Sequence, residues 1–210
     1  MLVYRTVEPE ASSARATLVA LHGRDATLDE LVPLTRSLGP DLRVILAEAP
    51  RVVYVATVPV SFTWFRTGDP GHVEPASFGD SLYQVEQFVY DVAERHPGEP
   101  HPFLLGYDLG AVLALTAARV IPDFLSGVIG ICGYLPAISG WSPPMEDLAG
   151  LPVLLVEDPA DERVPAQLRK RTAKQLAARG ADVRLKTLEG ACALDPRVEE
   201  VVGGWLGTRL

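Results

Sequence analysis

Gly106-Tyr107-Asp108-Leu109-Gly110 is the stretch that decides how this chain folds. The apolar run Pro102-Phe103-Leu104-Leu105 leads into it, and residues 111–118, rich in helix formers, lead out. A strand that turns directly into a helix leaves no room for side chains two positions either side of the central residue. Gly106 and Gly110 meet that demand, and glycine also reaches backbone angles closed to other residues. The pattern is that of a nucleophile elbow, with Asp108 where a serine usually stands. The carboxylate of Asp108 is expected at the C-terminal edge of a sheet, above a helix N-terminus.

Outward from this turn, apolar runs alternate with amphipathic ones. Buried strands are expected at 17–21, 42–46, 103–107, 127–131, 153–156 and 183–188, with an edge strand near 2–7. Leu82, Val85, Phe88, Val89 and Val92 share one helical face, and Ser77 with Asp80 supplies a capping signal. A helix over 164–179 stops at Gly180, and a last one starts at Asp195-Pro196 and lines up Val198, Val201, Val202, Trp205 and Leu206. Near-continuous apolar strands separated by helices mean an α/β fold, a mostly parallel sheet with helices on both faces. Ligands of such sheets bind beyond the C-terminal strand ends. The Pro- and Gly-rich stretch 48–76, with Trp64 and Phe65 in its middle, reads either as a ligand wall or as a hydrophobic anchor. Its apolar segment Val52-Val53-Tyr54-Val55 suits either an edge pairing with a second copy, as a homodimer, or a β-hairpin within the loop.

Composition narrows the classes. At 210 residues the chain is expected to form a single domain, residues 1–210, and 48% hydrophobic with 22% charged residues is a globular balance. A net charge of -8 argues against nucleic acid or an anionic membrane as partner. The basic cluster Arg169-Lys170-Arg171-Lys174 reads as a solvated helix face. No apolar run approaches the roughly 20 residues of a membrane span, and the N-terminus lacks a secretory pattern. Cys132 and Cys192 are too few for a disulfide framework and lack metal-site spacing, so no metal or cofactor is expected and a cytoplasmic location is the simplest account. Both cysteines follow strand ends, so a bond between them is open, but buried, inert thiols are the expectation.

Leu21-His22-Gly23-Arg24, Trp64-Phe65, the 106–110 turn, Gly133-Tyr134-Leu135-Pro136 and Ala160-Asp161-Glu162-Arg163-Val164-Pro165 together resemble the block motifs of the bacterial phospholipase/carboxylesterase family. That is the small α/β-hydrolase group that includes acyl-protein thioesterases. The resemblance spans the chain from about residue 15 to its end. It implies an α/β-hydrolase fold without a large cap domain, and a pocket for a small ester or acyl-like ligand lined by Arg24, Trp64, Phe65 and Tyr134. By position, the family's serine falls on Asp108, its acid on Asp161 and its histidine on Cys192, within Gly190-Ala191-Cys192-Ala193-Leu194. Oxyanion binding would fall to His22, Gly23 and Leu109. Further departures are Leu109 in a glutamine's place and Glu157-Asp158 where similar sequences show His-Gly.

These replacements change the chemistry. A serine hydroxyl attacks only when a base takes its proton, and that base later protonates the leaving group. A carboxylate needs no such activation, and haloalkane dehalogenases and epoxide hydrolases of this fold use an elbow aspartate. They still need histidine to activate the releasing water, and a cysteine is a poor substitute. Ordinary serine-esterase turnover is therefore expected to be lost or very weak, leaving a ligand-binding pseudoenzyme. The alternatives are a hydrolase of esters, epoxides or halides using Asp108 as nucleophile or base, with His72 or His22 as a relocated base, and a lyase or isomerase step in which Asp108 moves a proton.

Overall fold

The structure, a computed structural model, describes residues 1–9, 14–36, 38–68, 71–141 and 147–210. Strands β1 (Tyr4–Val7), β2 (Ala16–Leu21) and β3 (Leu42–Ala47) come first, with the short helix α1 (Val32–Arg36) between the last two. A hairpin of β4 (Arg51–Val55) and β5 (Val58–Thr63) follows, then the long helix α2 (Pro75–Arg95). The remainder alternates as β6 (Phe103–Tyr107), α3 (Leu109–Ala117), β7 (Gly127–Ile131), β8 (Pro152–Glu157), α4 (Ala166–Ala177), β9 (Asp182–Thr187) and α5 (Pro196–Gly207). Seven strands make one sheet in the order β1-β3-β2-β6-β7-β8-β9. All neighbours run parallel except β1, which pairs antiparallel with β3 and forms one edge; β9 forms the other.

The pleat explains why the central strands are nearly apolar throughout, whereas β9, expected to be buried, is an edge strand whose side chains are mostly exposed. In β2, Val19 and Leu21 face a core shared with α2, α3 and Leu176 of α4, while Leu18 and Ala20 face one shared with Leu34 of α1 and Val198, Val202, Trp205 and Leu206 of α5. Helices thus cover both faces. Along α2 the buried stripe is Phe78, Leu82, Val85, Phe88, Val89 and Val92; at roughly 1.5–3 kcal/mol for each fully buried large apolar side chain, it holds a helix that intrinsic propensity alone would not.

Some local expectations need correction. The α2 cap is Glu74, whose carboxylate accepts the N–H groups of Ala76 and Ser77, with Pro75 at the first helical position. Ser77 is used differently, accepting the Arg66 N–H. Stretch 48–76 is not one loop: β4 and β5 pair antiparallel within it, so the Val52–Val55 segment is a hairpin strand. Its outer side chains, including Tyr54, Val55 and Val58, are exposed. Of the basic cluster, Lys170, Arg171 and Lys174 are exposed, whereas Arg169 turns inward toward Glu157. Helix α4 ends as the glycine predicts: Gly180 takes φ +88° and the Ala181 N–H returns to the Leu176 carbonyl. Among the described residues, no helix is long and apolar enough to cross a membrane.

Candidate functional site

Asp108 sits between β6 and α3 at φ 49° and ψ −112°, a positive-φ conformation that non-glycine residues adopt only where surroundings impose it. The imposition is visible. A Cβ on Gly106 would lie 2.2 Å from the Gly110 carbonyl oxygen, and one on Gly110 would lie 2.2 Å from that of Leu21. The Asp108 N–H still donates to the Ile131 carbonyl of β7, so the turn is tied to the sheet as its side chain leaves it.

That side chain is nearly enclosed, 4% exposed, and Arg24 grips it. The Arg24 backbone N–H donates to Oδ2 at 3.1 Å, its Nε to the same oxygen at 2.8 Å, and its terminal nitrogen to Oδ1 at 3.1 Å. This fork holds the guanidinium charged and raises its pKa. Arg163 stands on the other side, 4.0 Å from Asp108 Oδ1, and its Nε donates to Asp161 Oδ1 at 3.0 Å.

The three strand-end residues singled out in the sequence do converge. Asp161 lies in the loop after β8 and Cys192 in the turn after β9, with 3.1 Å between Cys192 Sγ and Asp161 Oδ2. The cysteines, however, are not the inert thiols expected: Cys132 and Cys192 form a disulfide, with Cα atoms 5.8 Å apart. Cys132 comes directly after β7, and its N–H extends the sheet by donating to Val156. Strands β7 and β9 flank β8, so their C-terminal ends bring both sulfurs to one rim. With the sulfurs joined, the contact to Asp161 is not a thiol hydrogen bond. The bond also removes the cysteine-count argument for the cytoplasm, because disulfides belong mainly to oxidising compartments.

Some other expected site residues are placed differently. The Gly23 N–H, expected to face an oxyanion, donates instead to Glu30 Oε2 at 2.7 Å; the amide that reaches Asp108 is that of Arg24, one position on. Burial raises the Glu30 pKa, opposed by that same N–H. Leu109 opens α3 with its side chain buried. Trp64 and Phe65 are enclosed in the core, 0% and 1% exposed, so they anchor rather than line a ligand wall. Trp64 Nε1 donates to the His22 carbonyl, and Phe65 packs edge-on against Phe78. Tyr134 is buried beside Arg24 and Asp108, and burial raises its pKa. The 134–144 loop is described only as far as 141.

His22 is a structural residue. Its Nδ1 lies 2.8 Å from the Gly23 carbonyl, and its Nε2 accepts the Ala49 N–H at 3.0 Å, which together fix a neutral tautomer protonated on Nδ1. Glu48 Oε1 lies 3.2 Å from Nε2, but an ion pair there needs a charged ring, and burial lowers the His22 pKa to about 4. Below its unfolded pKa of 6.5 the unfolded chain takes a proton that the native ring refuses. Stability from this group is therefore intact above 6.5 and falls as pH drops toward 4, by roughly 3 kcal/mol in the limit. Urea unfolding across that window should show the loss in the wild type and a flatter profile in His22→Gln. His72 is exposed, and its backbone bridges to Ala137.

Sequence reasoning missed three participants. Arg163 links Asp161 to Asp108; its spacing two residues after Asp161 was the available signal. Asp158 accepts the Ala160 N–H through Oδ1 and the Gly190 N–H through Oδ2, both at 2.9 Å, and so pins the turn that carries Cys192. Tyr107 donates its hydroxyl to the Cys192 carbonyl.

The family model for phospholipase/carboxylesterase proteins matches residues 3–199. The chain belongs to that family. Among solved structures, this phospholipase/carboxylesterase member is similar to a carboxylesterase from Mesorhizobium loti at 25% identity and TM-score 0.83, over 98% of this chain and 94% of that one. A Bacillus cereus carboxylesterase shares the fold at 18% identity and TM-score 0.84, covering 100% and 95%. Zea mays acyl-protein thioesterase 2 does so at 21% and 0.78, covering 99% and 98%. No curated protein matches the chain. The architecture is the α/β-hydrolase fold, and the described residues form no large cap, as the motif resemblance implies.

Proposed function

We propose that this family member binds a small ester or acyl-like ligand and has lost ordinary serine-esterase turnover. In this reading Asp108, Cys192 and Asp161 hold the positions of the serine, histidine and acid, and the 106–110 turn is the nucleophile elbow. The observation that carries it is the clasp on Asp108. Where a working esterase offers backbone donors to a developing oxyanion, the Arg24 amide and guanidinium are spent on the protein's own carboxylate.

The clasp also weighs against Asp108 as nucleophile. Each charge-assisted hydrogen bond is worth about 1.5–3 kcal/mol, so shedding two would add roughly 3–6 kcal/mol to the barrier and slow attack by roughly 10²–10⁴-fold. A base to finish the reaction is missing from the adjoining position, because Cys192 is bonded to Cys132. Glu157 and Asp158, which replace the usual His-Gly, hold structure instead, through Arg169 and Gly190.

Restoration tests this reading. Wild type and both single variants should leave a short aryl ester unhydrolysed, whereas Asp108→Ser with Cys192→His, in a Cys132→Ala background to avoid a stray thiol, should hydrolyse it at least about 100-fold faster, since a positioned general base contributes 10²–10⁴-fold. Turnover by the wild type that disappears in Asp108→Ala would overturn the proposal in favour of an aspartate-based hydrolase.

A further inference from the structure

Cys132 Sγ, Cys192 Sγ and an Asp161 carboxylate oxygen lie within 4.8 Å of one another. The grouping follows from topology, since the three residues come from the C-terminal ends of the adjacent strands β7, β8 and β9. We propose that this cluster is a redox-gated zinc site, closed as a disulfide when oxidised and able to hold one zinc ion when reduced. The inference is independent of whether the protein turns over esters.

The donor chemistry fits. Two thiolates and a carboxylate are a zinc set, and soft sulfur ligands select against magnesium and calcium. The Asp161 carboxylate is already oriented to ligate. Its Oδ1 takes the Arg163 Nε and N–H, both at 3.0 Å, leaving Oδ2 turned toward sulfur. Such outer hydrogen bonds fix metal-ligating groups, and the positive Arg163 offsets the charge of three anionic donors around a dication. The Asp161 side chain is 4% exposed while Cys192 is half-buried, which gives a sheltered site with an entry path. A zinc–sulfur distance of about 2.3 Å requires the sulfurs to part to roughly 3.7 Å, a side-chain rotation that a Cα separation of 5.8 Å accommodates. Water would complete the tetrahedron.

The redox step balances with a dithiol as reductant. Two electrons and two protons pass from the dithiol to the Cys132–Cys192 bond, yielding two cysteine thiols and the dithiol's own disulfide. Zinc then displaces the thiol protons, up to two per ion, so the metal-bound and disulfide states exclude each other.

Cobalt(II), which reports thiolate ligation by charge-transfer absorption, tests this on the full chain. The dithiol is removed by anaerobic desalting, and folding is followed by near-ultraviolet circular dichroism. The reduced wild type should bind one equivalent with that absorption, release protons, give the cobalt up to zinc, and bind at least about 100-fold more tightly than the disulfide form. Asp161→Asn should weaken binding by about tenfold or more while keeping the two sulfurs. If reduction loosens the fold, zinc should restore it. Equal affinity of the reduced and oxidised forms, an unchanged affinity in Asp161→Asn, or a loosened reduced chain that zinc fails to order would each overturn the proposal.

Discussion

Gly110→Ala is expected to cost more than about 4 kcal/mol and to leave little folded protein at 25 °C. The new methyl carbon would sit 2.2 Å from the Leu21 carbonyl oxygen and 2.6 Å from that of His22, both backbone atoms without a rotamer to move away. Relief requires α3 to lift from β2, which would part the buried residues between them. Penalties of this size arise from a short list of causes, and overpacking against immovable backbone is one. Gly204→Ala is the control. It lies in α5 with nothing within 4 Å of its added carbon, so it should be neutral or stabilising by up to about 1 kcal/mol. Urea denaturation of both variants separates a steric demand at the turn from a general intolerance of alanine.

The second large effect is expected at Arg24. Replacing it by leucine strands the Asp108 carboxylate, 4% exposed, without the guanidinium that now supplies two of its three hydrogen bonds. The backbone amide remains, so two of them are lost. Breaking one side of an enclosed ion pair costs roughly 3–5 kcal/mol. The low end applies here, because Arg24 itself is 37% exposed and its removal admits water. A double-mutant cycle gives the sharper result: Arg24→Leu with Asp108→Leu should recover most of the loss, since removing both charges also removes the stranded one. A double variant no more stable than Arg24→Leu alone would mean that the carboxylate is already well hydrated in the native state.

How much of this was legible depended on whether a feature is local. The parallel sheet was, since strands buried on both faces must be almost wholly apolar, and β2, β6 and β7 are. So was the 106–110 turn, because its two glycines answer a steric demand within one segment. Asp108 was legible as the centre of that turn, whereas Asp161 and Cys192 were reached through the motif resemblance. What escaped was pairwise. The grip of Arg24 on Asp108 joins residues 84 apart in sequence, and Glu30 takes the Gly23 amide from seven residues away. Cysteine counting led away from the disulfide because it argues from number and compartment, whereas the bond depends on two strand ends meeting. Trp64 and Phe65 carry no periodicity that could show them turned inward, and the β4–β5 hairpin lacks the two-residue glycine turn that announces most hairpins.

The two rims of the seven-stranded sheet carry a consequence of their own. An unpaired strand is a template on which another chain can add, and the addition can repeat without limit. Here one rim is the short β1, with Arg5 in its middle, and the other is β9, with Arg184 and Lys186 at alternate places. A second molecule arriving in register would set cation against cation at each rim, most strongly along β9, which opposes edge-to-edge growth.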